Sequence, residues 1–337
     1  MNEVQVVATG RYAPKKVLTN AELSKVIDTN DEWIKTRTGI SQRRIALEEN
    51  TSDLATKAAQ RALEKSKIKA EELDLIIVAT VTPDCYTPST ACIVQKNLKA
   101  KAATAFDINA ACSGFIYAFN IASQFIKTKT VKKALIIGAE TLSKICDWND
   151  RSTCVLFGDG AGAAILSSSK EPGLLSIYAG SNGEGEHLLK CKAETLGVNN
   201  TDLIGMEKKE DGSLNFISME GREVFKFAVK VMDEGVNKLL KDTSLKMEEV
   251  QYIIPHQANL RMIEYISKKL KVGMDKFYTN IQHYGNTSSA SIPIALDEMN
   301  EKGLLKKGDN VLMVGFGGGL TWGGAAVKWS IEKNKEE

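Results

Sequence analysis

The chain repeats itself once. Residues 54–77 and 231–254 match in pattern without a gap, 177 positions apart, and both read helix, short polar turn, Glu-Glu, strand. The same offset carries Lys133-Ala134-Leu135-Ile136-Ile137-Gly138 onto Asn310-Val311-Leu312-Met313-Val314-Gly315, and the turn at Cys112 onto Ser288 and Ser289. Gly162 to Ile165 meets Gly324 to Val327 at a shorter offset, so the second copy has lost residues there. A repeat this long that occurs only twice is no solenoid. It predicts a duplicated α/β fold, with halves at about 1–173 and 174–337 packed together. Helices alternate with apolar strands in each half, which predicts mainly parallel sheets covered by helices.

Ligands of such folds bind beyond the carboxyl ends of strands. Thr104 to Ile108 reads as a strand, and Phe115, Ala118, Phe119 and Ala122 recur at helical spacing, so Cys112 falls at a strand-to-helix turn. Small neighbours, Ala110, Ala111 and Gly114, let the backbone bend and a substrate approach. A helix N-terminus favours negative charge, so a thiol there is expected to ionise more readily than a free cysteine. Two readings stay open: a nucleophile, or a buried structural thiol. In the second half, strands run into Pro255-His256-Gln257-Ala258-Asn259, His283-Tyr284-Gly285-Asn286 and Gly315-Phe316-Gly317-Gly318-Gly319. A pseudo-twofold axis would gather all of these with Cys112 in one cleft. A thiolate that attacks a thioester, backbone N–H groups as an oxyanion hole, and two N–H donors on a second carbonyl oxygen describe acyl transfer followed by enolate stabilisation.

Near the N-terminus, Val4 to Thr9 reads as a strand, Asn20 to Ile27 and Asn30 to Thr36 as short helices, and Ser52 to Lys65 as an amphipathic helix capped at Thr51 or Ser52. Trp33 and Arg37 lie four apart on one helix face. That pair suits a nucleotide, stacking on its base and binding its phosphate, and equally an ordinary surface cation–π contact.

A formal net charge of +2 implies no nucleic acid or other bulk polyanion partner. Met1-Asn2-Glu3-Val4 lacks a leader pattern, no apolar run reaches membrane-span length, and the six cysteines are scattered without a CxxC pair. A cytoplasmic, reduced enzyme without a metal site is expected. Gly158-Asp159-Gly160-Ala161-Gly162-Ala163 fits a loose dinucleotide fingerprint, but Ala163 to Leu166 reads as strand where that motif requires a helix.

Several longer motifs follow one another along nearly the whole chain: Asp31-Glu32-Trp33-Ile34 with Arg37-Thr38-Gly39-Ile40, Ala110-Ala111-Cys112-Ser113-Gly114-Phe115, Val155-Leu156-Phe157-Gly158-Asp159-Gly160-Ala161-Gly162, Pro255-His256-Gln257-Ala258-Asn259, Tyr284-Gly285-Asn286-Thr287-Ser288-Ser289-Ala290-Ser291-Ile292-Pro293, and Phe316-Gly317-Gly318-Gly319-Leu320-Thr321-Trp322-Gly323. Taken together and in this order, they resemble those of the β-ketoacyl-acyl-carrier-protein synthase III family. The resemblance implies a thiolase-type α/β fold, a five-layer αβαβα sandwich, in a homodimer. It implies an acyltransferase that opens dissociated (type II) fatty-acid synthesis, with acyl-CoA and malonyl-acyl carrier protein as substrates and no cofactor. Cys112 would be acylated, His256 and Asn286 would hold the enolate oxygen, and the N–H groups of Cys112 and Gly318 would form the oxyanion hole. Trp33, Arg37, Arg151 and Asn259 match CoA-contacting positions, and Lys226, Arg261 and Lys268 would dock the acidic carrier protein. Thr87 matches an acyl-pocket position that acts across the dimer interface and is a bulky Phe in some members, so this chain is expected to accept primers longer or more branched than acetyl. Elongating synthases carry a second His in place of Asn286, and 3-hydroxy-3-methylglutaryl-CoA synthases need a catalytic Glu. Related polyketide-type or CoA-dependent acyltransferases, and a non-catalytic acyl-binding paralogue, are the alternatives.

Overall fold

The computed structural model describes residues 3–192 and 216–332. The first half contributes β1 (Glu3–Tyr12), β2 (Lys16–Thr19), α1 (Asn20–Leu23), α2 (Asp31–Thr38), β3 (Gln42–Ile45), α3 (Thr51–Ser66), β4 (Leu75–Ala79), α4 (Thr90–Leu98), β5 (Thr104–Ile108), α5 (Gly114–Lys127), β6 (Lys133–Thr141) and β7 (Asp159–Ser169). The second contributes β8 (Leu174–Ser181), β9 (Leu189–Lys190), β10 (Ser218–Met219), α6 (Gly221–Thr243), β11 (Val250–Pro255), α7 (Leu260–Leu270), α8 (Ile281–Tyr284), α9 (Ser291–Glu301), β12 (Asn310–Gly317) and β13 (Thr321–Lys328).

One sheet has the order β1-β7-β6-β4-β5 and the other β11-β12-β13-β8. They are more mixed than the alternating pattern predicts. Only β6-β4, β4-β5 and β11-β12 are parallel, because β1 and β7, and likewise β8 and β13, close each sheet with antiparallel pairs. Among the described residues the first sheet's fifth strand has no full counterpart in the second. There Ile253 and Phe277 form an isolated parallel bridge.

Alternation along β4 shows how the layers arise. Leu75, Ile77 and Ala79 face a core shared with α5, α9 and the second sheet, through Phe115, Phe119, Ile292, Leu296, Val311 and Met313. Ile76 and Val78 face the opposite way, into a core with Leu54 and Ala58 of α3 and Val94 of α4. The outer side of the second sheet packs Ile253, Leu312 and Val314 on Val236 and Leu239 of α6 and Ile263 and Ile266 of α7. The result is five layers, helix-sheet-helix-sheet-helix, with α5 and α9 in the middle. Ser291 to Met299 of α9 are accordingly all buried.

Local details differ from the sequence pattern in two places. The first short helix stops at Leu23, where Val26 N–H closes a tight turn on the Leu23 carbonyl. The cap of α3 is Asn50, whose N–H donates to the Asp53 carboxylate at 2.8 Å. Thr51 is committed elsewhere: its hydroxyl donates to the Thr82 carbonyl at 2.6 Å.

The duplication survives in backbone detail. The short turns Ala111–Ser113 and Ser288–Ala290 precede α5 and α9, and each opens on a non-glycine residue with positive φ, Ala111 at 46° and Ser288 at 49°. They sit against glycines of the opposite half. A Cβ on Gly138 would lie 2.2 Å from the Ser289 carbonyl oxygen, and one on Gly317 would lie 2.6 Å from the Cys112 nitrogen. Gly138→Ala should therefore lower stability by about 1–3 kcal/mol through overpacking against backbone that cannot yield. Urea unfolding checks this, and an unchanged midpoint would show that the halves do not need this approach.

Candidate functional site

A cavity of about 1120 Å³ is lined by Cys112, His256, Asn286 and Gly318 and also by Trp33, Arg37 and Asn259. Cys112, expected at a strand-to-helix turn, sits in the turn that enters α5. Thr321 Oγ1 ties this turn to the glycine loop, with the Ala110 and Gly318 carbonyls both at 3.0 Å and Ser113 Oγ at 3.2 Å. The expected easy ionisation of Cys112 is not what the site provides. Burial pushes the thiol up to about 12, a contact with the Ser288 side chain opposes this, and the negative charge of Glu140 adds to it. Desolvation outweighs the helix N-terminus because the dipole acts on a sulfur almost removed from water.

His256 follows the last residue of β11, and its N–H donates to the Val314 carbonyl at 2.8 Å. Burial lowers its pKa to about 3, so the ring is neutral through the physiological range. Nδ1 lies 2.7 Å from Ser291 Oγ, and that oxygen also accepts from the Gln257 N–H at 3.3 Å. The Ser291 hydroxyl is then best oriented to donate to Nδ1, which accepts and so leaves the ring hydrogen on Nε2. Asn286 is held through its backbone by the first half: its N–H donates to the Leu156 carbonyl at 2.8 Å and its carbonyl accepts from the Gly158 N–H at 3.0 Å. Its Oδ1 accepts from the Ser288 N–H at 2.9 Å, which leaves the amide NH2 as the group free to donate. Leu156 and Gly158 thus serve to place Asn286. Asp159 begins β7, so the dinucleotide reading of this segment lacks the helix it requires.

At the rim, Arg37 and Arg151 both lie over the Trp33 ring, 6.0 and 5.0 Å from its centroid. Asn259 caps α7 by accepting from the Arg261 N–H and donates Nδ2 to the Arg37 carbonyl at 3.1 Å. The four expected CoA contacts are therefore one cluster. Lys226, Arg261 and Lys268 are exposed on α6 and α7, which meet through Phe225 and Tyr265, ring centroids 6.0 Å apart. Thr87 is exposed and does not line its own chain's cavity, although its neighbours Cys85 and Tyr86 do.

Ser291 and Thr321 went unnoticed as individual residues in the sequence, although both lie inside motifs that carry the family resemblance. Glu140 lies in none of them. Among the described residues no group of three His, Cys, Asp or Glu is arranged to hold a metal, and no helix is long and apolar enough to cross a membrane.

With this geometry in place, comparison with known proteins is direct. Family models described as 3-oxoacyl-(acyl-carrier-protein) synthase III and its C-terminal part match residues 106–183 and 240–329. A β-ketoacyl-(acyl-carrier-protein) synthase III of Clostridium tetani is 61% identical over 329 residues, 97% of this chain and 98% of its own length. The chain belongs to the β-ketoacyl-(acyl-carrier-protein) synthase III family. It is an acyltransferase of the thiolase fold, the initiating condensing enzyme of type II fatty-acid synthesis. The crystal structure of the family member from Aquifex aeolicus VF5 superposes with a TM-score of 0.89 at 49% identity, covering 97% of this chain and all 100% of that one. The priming β-ketosynthase of the R1128 polyketide pathway gives the same TM-score, 0.89, at 33% identity, covering 97% and 96%.

The neutral Nε2–H form of His256 has a direct check. Nitrogen NMR of histidine-labelled protein should show one of its three histidines as this tautomer, unchanged from pH 8 to pH 5. Titration of all three near 6.5 would contradict the burial argument.

Proposed function

We propose that the condensation runs on Cys112, His256 and Asn286. Cys112 Sγ attacks the thioester carbonyl of an acyl-CoA, and the resulting oxyanion is met by the N–H groups of Cys112 and Gly318. CoA leaves and the acyl-enzyme remains. Malonyl-acyl carrier protein then enters the same cavity, and His256 Nε2–H and the Asn286 amide donate to its thioester oxygen as CO2 departs. The enolate carbon attacks the acyl carbon and gives 3-oxoacyl-acyl carrier protein. The observation that carries this reading is the convergence of thiol, neutral Nε2–H donor, side-chain amide and glycine loop on one cavity. The chemistry draws on no cofactor beyond the two thioesters. We read residues 1–173 as the half that supplies the nucleophile and 174–337 as the half that supplies the two donors. What supports this division is that the first sheet ends at Ser169 and the second begins at Leu174.

CoA would lie across Trp33 and the two guanidiniums, with its pantetheine arm passing Asn259 toward Cys112. The acidic carrier protein would dock on Lys226, Arg261 and Lys268. We further propose a cytoplasmic homodimer. Strand β5 is a sheet edge bearing half-buried Phe106 and Ile108, next to exposed Tyr86, and an edge of this kind pairs readily with a second copy. In that dimer Thr87 would reach the partner's acyl pocket, where its small side chain leaves room for longer or branched primers.

Incubation with a mixture of acyl-CoAs followed by mass spectrometry should show one acyl group added to the wild type and none to Cys112→Ala, with isobutyryl or longer adducts competing well against acetyl. The absence of any adduct would remove Cys112 as nucleophile; a clear preference for acetyl would remove the role given to Thr87. Carrier docking is tested by reversing charge at Arg261 and Lys268 together. KM for malonyl-acyl carrier protein should rise at least about tenfold, each lost charge contact contributing on the order of 1 kcal/mol. Loading from acyl-CoA, which involves no carrier, serves as the internal reference. An unchanged KM would move the docking site elsewhere.

A further inference from the structure

Asn286 takes its place from the first half, and the side chain that holds this part of the first half is Arg43. It lies on β3 opposite Leu18 of β2 and is completely buried. One terminal nitrogen donates to Asn20 Oδ1 at 2.9 Å and to the Leu18 carbonyl at 3.2 Å, and the other donates to the Val155 carbonyl at 2.8 Å. All three acceptors are uncharged. Among the described residues Nε has no partner and no carboxylate pairs with the guanidinium. Burial lowers its pKa to about 10, so it stays charged at pH 7.

A buried charge satisfied only by neutral oxygens gives the fold little net stability, because desolvation offsets what its hydrogen bonds return. A methionine of similar length would fill the space without that penalty. What the guanidinium adds is direction. It fixes the Val155 carbonyl, and the next residue, Leu156, presents the carbonyl that accepts the Asn286 N–H at 2.8 Å. The stem of the same side chain packs beside the rest of that bridge. A Cβ on Gly158, whose N–H donates to the Asn286 carbonyl, would lie 3.0 Å from Arg43 Cβ. One on Gly285, which precedes Asn286 with a φ of 68°, would lie 3.2 Å from it. Strand β3 is itself anchored on both flanks, by the Ser41 N–H on the Gln282 carbonyl at 3.1 Å and by the Ala46 N–H on the Asp159 carboxylate at 2.7 Å. Arg43 thus lies against both segments whose backbone holds Asn286.

We propose that Arg43 is a positioning residue for Asn286: by fixing the Val155 carbonyl and the backbone beside Gly158 and Gly285, it sets the direction of the amide that donates to the enolate oxygen. Arg43 is not among the residues that line the cavity, and the Cys112 turn is held separately, by Thr321 and against Gly317. Its influence therefore falls on one half of the reaction. Loading of Cys112 from acyl-CoA does not use the Asn286 amide, whereas condensation with malonyl-acyl carrier protein does. Helix α2, which bears Trp33 and Arg37, keeps its own ties, since Asn20 Nδ2 donates to Asp31 Oδ1 at 2.9 Å and to the Ile40 carbonyl at 2.7 Å. The proposal rests on Asn286 being a donor to the enolate.

Preparing the acyl-enzyme from acyl-CoA and then adding malonyl-acyl carrier protein separates the two halves. Arg43→Met should load within about twofold of the wild-type rate, while CO2 release from the loaded enzyme falls about 10²-fold at saturating malonyl-acyl carrier protein, the scale on which a misplaced donor acts. The half-saturating concentration should change little. Arg43→Lys keeps the charge but lacks the fork that spans both sides of the site, so it should show the same pattern with a loss of about tenfold, and it decides the matter if Arg43→Met does not fold. Asn286→Ala supplies the reference. Adding the Arg43 substitution to it should bring no further loss, because a residue that acts only through Asn286 then has nothing left to place. Losses that multiply in the double variant, equal slowing of loading and condensation, or condensation at the wild-type rate overturn the proposal. Condensation at the wild-type rate by Asn286→Ala itself would instead overturn the donor role of Asn286, and the proposal with it.

Discussion

Everything at the centre of this protein depends on two turns pressed against the opposite half of the duplication. The Cys112 turn lies on β12 and the Ser288–Ser289 turn lies on β6, in each case against a glycine where any side chain would strike backbone. The helices that follow, α5 and α9, fill the space between the sheets and share one apolar core with both. The contact is therefore not an interface between two independent modules. It fixes the Cys112 thiol of one half relative to His256 and Asn286 of the other, and the rigidity of a close-packed interior holds that arrangement.

The same burial governs the chemistry. Water removed from around Cys112 and His256 leaves a protonated thiol and a neutral imidazole rather than an ion pair. A neutral donor suits the enolate step, since a ring whose Nε2–H is fixed by Ser291 offers the same hydrogen at every physiological pH. In the proposed reaction, the low polarity around these buried groups would strengthen any N–H directed at a developing oxyanion.

The outer surface shows the opposite balance. Trp33 with Arg37 and Arg151, and the basic residues of α6 and α7, are exposed or half-exposed, so their contacts are individually weak and screened. Such residues suit recognition of charged, mobile partners at the mouth of the cavity, while specificity for the reacting atoms stays in the interior.

Much of this was legible in the sequence, for identifiable reasons. The duplication, the strand-to-helix turn at Cys112, the glycine run and the order of motifs are periodicities and short-range patterns, and the chain expresses them locally as helices, turns and strand ends. Tertiary structure decided what depends on distance through space. It decided the cap of α3, because Thr51 is drawn away by Thr82, and the mixed direction of the sheets, because β1 and β7 close antiparallel. It decided the ionisation of Cys112, because burial is a property of the surrounding fold and overrides the local dipole. It also decided the tautomer of His256 and the surroundings of Glu140, because Ser291 lies 35 positions from the one and Ser289 lies 149 from the other, and no pattern along a chain records which distant hydroxyl will face a buried ring or carboxyl.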